Sequence, residues 1–185
     1  MSMDGFQASR RSFLGVLAAG MAVAAAPVYA KAPGLLRGAG DVRKIAMYNQ
    51  RTGESLNTVY YANGRYIPEA MTEISFFMRD WRHNVVRQYH PGNIDILATT
   101  LRMLETDEPY LMISGYRTPQ TNRMLRGAAK ESYHMRAMAA DVRLRSRDVS
   151  QVSRAALACR AGGVGIYNRS NFVHMDCGPV RTWRG

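Results

Sequence analysis

Residues 138–144 and 172–177 alternate apolar and other side chains with a period of two, the signature of strands with one face buried. In the first, Met138, Ala140, Val142 and Leu144 share a face and Ala139, Asp141 and Arg143 take the opposite one. In the second, Val173, Met175 and Cys177 point inward, while Phe172, His174 and Asp176 point together the other way. A sheet built from such strands must be covered on its apolar face. Its other face carries an imidazole and two carboxylates.

The cover comes from helical periodicity elsewhere. Pro68 opens a helix with Met71, Ile74, Met78 and Trp81 on one stripe, and Ile94, Leu97, Leu101 and Leu104 repeat that spacing. Thr118-Pro119 is a helix start with Gly127 as its stop, and 148–160 is a further helix ending at Gly162-Gly163. Residues 44–49 and 55–61 flank Arg51-Thr52-Gly53 as a hairpin, 110–114 is a short buried strand, and 164–167 precedes the closing strand. The class is α+β, with a small antiparallel sheet and flanking helices.

Residues 1–30 read as an export signal and stand apart from the fold. Arg10-Arg11 precede an uncharged apolar run from Phe13 to Ala26, too short for a comfortable bilayer span, and Val28-Tyr29-Ala30 offers a cleavage site. This twin-arginine pattern predicts folded export to the periplasm or cell envelope, with no stable membrane insertion after cleavage. Residues 31–43 read as a flexible lead-in and 44–185 as the folded domain, expected to be a monomer. The whole chain carries a net charge of +11, and without the signal 23 basic and 13 acidic side chains leave +10. Such an excess favours polyanions. The arginines are dispersed with no basic run, and the export signal makes nucleic acid the least suitable partner, ahead of which stands a carboxylate-bearing wall polymer. Cys159 and Cys177 read as core fillers, and an oxidising compartment would permit their pairing.

His134, Asp141 and His174 match the count of a catalytic metal site, in which three protein ligands leave one position open to water. Such an ion lowers the pKa of bound water and polarises a carbonyl. The bland alternative is an N-cap, a surface carboxylate and a core histidine, and spacing alone does not exclude it. Asp176, the ionisable neighbour of His174 on its face, has two readings, as general base or as acceptor of a ligand histidine's free ring N–H.

Taken in order, Ser114-Gly-Tyr-Arg117-Thr-Pro119, Ser132-x-His134-x6-Asp141, Gly162-Gly-Val-Gly-Ile-Tyr167, Phe172-Val-His174-Met-Asp176 and Arg181-x-Trp183 resemble the LAS-type zinc peptidases that cut bacterial peptidoglycan. The likeness is greatest to the murein endopeptidase K branch, and more distant to D-Ala-D-Ala carboxypeptidases and dipeptidases and to the hedgehog fold. It runs from about Lys44 to the C-terminus. It implies that His134, Asp141 and His174 bind zinc, that Arg117 neutralises an oxyanion or holds a substrate carboxylate, and that the substrate is a peptidoglycan stem peptide, with cross-links involving meso-diaminopimelate suggested by the branch. Two positions depart from the pattern. Ala137 replaces a glycine, and Asn171 and Phe172 stand where relatives place an acidic or histidine base. The reading is therefore a zinc-dependent murein endopeptidase with Asp176 and Arg117 as catalytic candidates. A D,D-carboxypeptidase and a non-catalytic wall-binding module of the same fold are its rivals.

Overall fold

The computed structural model describes residues 40–185. The strands β1 (Val42–Tyr48) and β2 (Ser55–Ala62) form the expected hairpin, followed by a two-residue β3 (Arg65–Tyr66). Two proline-led helices follow, α1 (Pro68–Phe77) and α2 (Pro91–Met103), then β4 (Tyr110–Ser114), the short α3 (Pro119–Met124) and a 3₁₀ turn at Tyr133–Arg136. β5 (Ala139–Arg143), α4 (Val149–Ala158), β6 (Gly163–Tyr167), β7 (Phe172–Asp176) and β8 (Arg181–Arg184) complete the chain.

All eight strands join one sheet in the order β3-β2-β1-β4-β5-β7-β6-β8. The α+β class is as expected, but the sheet is larger than the small antiparallel one anticipated and is mixed, since β1 pairs with β4 and β6 with β8 in parallel. Parallel neighbours need long crossovers, here through α1 and α2 in one case. Val142, Val173 and Met175 face one buried cluster with Ile74 of α1, Ile94 and Leu97 of α2, and Val152 and Ala156 of α4. The alternation read from sequence thus sets which face the helices cover. It leaves the other face of β5 and β7 to the polar residues.

Several boundaries moved. β1 begins at Val42, inside the segment expected to be a lead-in, while the expected signal at 1–30 and residues 31–39 of the lead-in lie outside the described residues. Trp81 falls beyond the end of α1 and is half-buried, so it is not part of that helix's core stripe. β3, β8 and the 3₁₀ turn carry no sequence period long enough to be foretold. The two cysteines are unpaired, Cys159 buried and Cys177 half-buried. Among the described residues no helix is long and apolar enough to cross a membrane.

Candidate metal centre

The site is assembled by strand register. Asp141 of β5 lies directly opposite His174 of β7, and Ala139 opposite Asp176, so the four occupy alternate rungs on the face away from the helices. His134 comes from the 3₁₀ turn. Ser132 caps that turn by accepting the His134 N–H at 3.3 Å, and Ala137 ends it in the left-handed region. The Arg117 N–H donates to the His134 carbonyl at 3.2 Å, tying the end of β4 to the same turn.

His134, Asp141 and His174 are all buried and each presents one ligating atom to a common point. Asp141 Oδ1 lies 3.1 Å from His134 Nε2 and 2.8 Å from His174 Nδ1, and the two nitrogens are 3.1 Å apart. The opposite nitrogen of each ring has a defined partner. His134 Nδ1 is 2.7 Å from the Gly115 carbonyl, which only accepts, so that nitrogen carries the hydrogen. His174 Nε2 is 2.9 Å from Asp176 Oδ2 and donates to it. In neutral rings, Nε2 of His134 and Nδ1 of His174 then offer bare lone pairs, and together with the carboxylate three acceptors face one another with no hydrogen between them. A cation resolves that conflict. Donors at zinc bond lengths of about 2.0–2.1 Å in a tetrahedron lie about 3.3 Å apart, close to the spacing seen. The residues fit a divalent metal.

Electrostatics agree with the geometry. Burial disfavours charge on Asp141, but His134 and His174 outweigh it and hold the carboxyl well below the usual range. Burial also works against a charged His174, yet its bonds to Asp141 and Asp176 raise its pKa, whereas burial lowers that of His134. The Asp141 carboxylate thus stays ionised between the two rings.

Asp176 is fully buried behind His174, on the side away from Asp141. Besides the His174 ring it accepts from Arg181 in bidentate fashion, Nη1 to Oδ1 at 3.0 Å and Nη2 to Oδ2 at 2.6 Å. The amides of Gly178 and Gly163 donate to Oδ1 at 2.8 and 3.3 Å. Burial pushes its pKa up, but His174, Arg181 and Gly178 together hold it well below the carboxylate range. Sequence reasoning missed Arg181 in this role. The signal lay in Gly163, where a Cβ would stand 2.3 Å from Arg181 Nη1 and 2.5 Å from Asp176 Oδ2. At Gly165 a Cβ would meet the Trp183 indole at 2.7 Å. The room left by these two glycines is filled by the chain's own side chains.

Arg117 donates from Nε to Ser114 Oγ at 2.7 Å and from Nη2 to Asp141 Oδ2. The centre opens into a groove of about 860 Å³ lined by Arg117, Tyr133, Tyr167 and Trp183 among others. Tyr116 instead belongs to the core. His90 caps α2, accepting the Gly92 N–H at 3.1 Å.

The chain was compared with known proteins. A family model described as "Peptidoglycan L,D-endopeptidase MepK" matches residues 37–183. Proteins named peptidoglycan L,D-endopeptidase MepK from Escherichia coli K12 and from Shigella flexneri are 39% identical over 187 aligned residues, covering 98% of this chain and 100% of theirs. A probable peptidoglycan L,D-endopeptidase MepK from Haemophilus influenzae is 35% identical over 150 residues, covering 77% of this chain and 80% of its own. No solved structure gives a significant match.

Proposed function

The chain belongs to the peptidoglycan L,D-endopeptidase MepK family, and from that premise we propose that it is a zinc-dependent endopeptidase that hydrolyses peptide cross-links of peptidoglycan. The observation that carries the metal reading is the convergence of three lone-pair donors, His134 Nε2, Asp141 Oδ1 and His174 Nδ1, on one buried point beside a groove. Zinc held there would supply Lewis-acid chemistry, activating a water and polarising the scissile carbonyl. The relatives' names speak for an endopeptidase over the D,D-carboxypeptidase rival.

The side chains then divide the work. His134, Asp141 and His174 are the ligands. Arg117 lines the groove beside them with Nε and Nη2 bonded to protein, and its remaining N–H groups stabilise negative charge developing on the carbonyl oxygen. Asp176 holds His174 in the Nε2–H form, which keeps Nδ1 available as a ligand. Its position behind the ring, saturated by donors, supports this positioning role over that of general base. We place the enzyme in the periplasm after twin-arginine export, acting as a monomer on the wall.

The test uses purified cross-linked peptide dimers, uncross-linked pentapeptides and whole sacculi. We expect monomers from the dimers, no D-alanine from the pentapeptides, loss of activity with chelator and its return with zinc. Cleavage that persists in chelator would overturn the metal reading. A zinc-loaded protein that binds sacculi and cuts nothing would establish the wall-binding module instead.

A further inference from the structure

Six arginines line the groove, and two of them, Arg117 and Arg181, are engaged by Asp141 and Asp176. Arg51, Arg82, Arg126 and Arg184 have no carboxylate partner among the described residues. Apart from Asp141, the one acidic side chain on the lining is the exposed Glu131, whose ion pair is with Arg136 at 3.7 Å. The groove therefore presents uncompensated positive charge.

Arg51 and Arg82 differ from the other two in sharing an aromatic neighbour. Both guanidinium groups approach the ring of Trp81, at 5.7 and 4.5 Å from its centroid. Their backbones are pinned as well, the Arg51 N–H donating to Asn49 Oδ1 at 3.0 Å and the Arg82 N–H to Asp80 Oδ1 at 3.2 Å. Cation–π attraction to an indole uses the charge of a guanidinium and not its N–H donors, which can still take a carboxylate in bidentate fashion. Less side-chain freedom is then lost on binding.

Their place in the fold sets a distance. Arg51 sits in the turn between β1 and β2, and two of the three ligands, Asp141 and His174, stand on β5 and β7, two and three strands along the sheet from β1. At about 4.8 Å per strand that is roughly 10–15 Å, the reach of about three or four extended residues. We propose that Arg51 and Arg82, gathered beside Trp81, form a carboxylate-binding subsite that selects peptide cross-links carrying a free carboxylate three or four residues from the scissile amide. This rests on the peptidoglycan endopeptidase reading and adds to it which substrates are preferred.

The experiment compares two purified cross-linked dimers, one with free carboxylates and one with those carboxylates amidated. The zinc-loaded wild type, the Arg51→Ala/Arg82→Ala double variant and a charge-matched control, Arg154→Ala/Arg160→Ala, are assayed on each. The control removes two exposed arginines, Arg154 in α4 and Arg160 just after it, neither of which lines the groove. We expect amidation to raise the wild-type KM by about 10- to 100-fold with a smaller effect on kcat. The double variant should lose that discrimination, treating both dimers as the wild type treats the amidated one. The control should keep it. A double variant that still discriminates as the wild type does, or a control that loses discrimination equally, overturns the subsite while leaving the endopeptidase reading intact. A wild type that cuts neither dimer overturns both.

Discussion

Ala137 sits at φ 53° and ψ 43°, in the left-handed region that costs a residue with a Cβ about 1–2 kcal/mol. It closes the turn that delivers His134, and its carbonyl accepts the His90 N–H at 2.9 Å, so the strain is held at the site by neighbouring structure. Glycine there would relieve the strain but lose a buried methyl worth about 0.8 kcal/mol and loosen the unfolded chain less favourably by about 0.4–1 kcal/mol. Ala137→Gly is therefore expected to lie within about 0.5 kcal/mol of wild type in urea unfolding. Ala137→Val, which adds branching where the Cβ is already fully buried, is expected to lose more than about 2 kcal/mol. Equal stability of all three would refute the strain. At the same scale, Asp176→Asn keeps the shape but turns one acceptor oxygen into a donor group facing Arg181 or His174. Zinc affinity from competitive chelator titration should fall by about 10- to 100-fold. An unchanged affinity would return Asp176 to consideration as a base.

Elements are tied to the site by a residue that no sequence pattern marked. Asp80, in the connection after α1, is buried and its Oδ2 accepts the Thr118 N–H at 2.9 Å and the Thr118 hydroxyl at 2.8 Å, while Oδ1 accepts the Arg82 N–H. It thus fixes the start of α3, the residue next to Arg117 and the backbone of Arg82 together. Burial raises the pKa of Asp80, but its hydrogen bonds prevail and leave it below the ordinary value. A carboxyl with a depressed folded pKa contributes stability that is complete above its unfolded value of about 3.9 and is lost as pH falls through the folded one. Acid unfolding between about pH 4 and the lower pKa should therefore be shallower in Asp80→Asn than in wild type. Near neutral pH the same variant should cost about 1–3 kcal/mol from donors left unsatisfied, with kcat reduced through Arg117. A pH profile of stability parallel to that of wild type would dismiss the ionised role.

Across the whole molecule, what could be read from sequence was local period and what could not was pairing. The alternation at 138–144 and 172–177 put Asp141, His174 and Asp176 on one face because strand geometry is fixed by the backbone, and the proline-led helices followed from caps and stripes. That Asp141 stands opposite His174, that β8 pairs in parallel with β6, and that Arg181 thereby reaches Asp176 depend on register between distant segments, which no local pattern encodes. Trp81 shows the opposite error, a residue that continued a helical stripe on paper and instead meets two arginines at the groove. Charge is a property of the molecule as a whole, and the +11 of the chain concerns the wall more than the bond to be cut. Screening shortens the reach of exposed charges from about 10 Å at 0.1 M salt to about 3 Å at 1 M, whereas contacts inside a groove are screened less. Retention on sacculi, measured by sedimentation, should fall several-fold across that range, while kcat on a small soluble dimer should change by less than about twofold. Retention that ignores salt would mean that the wall is held by shape at the groove, and that the basic surface has no part in bringing the enzyme to it.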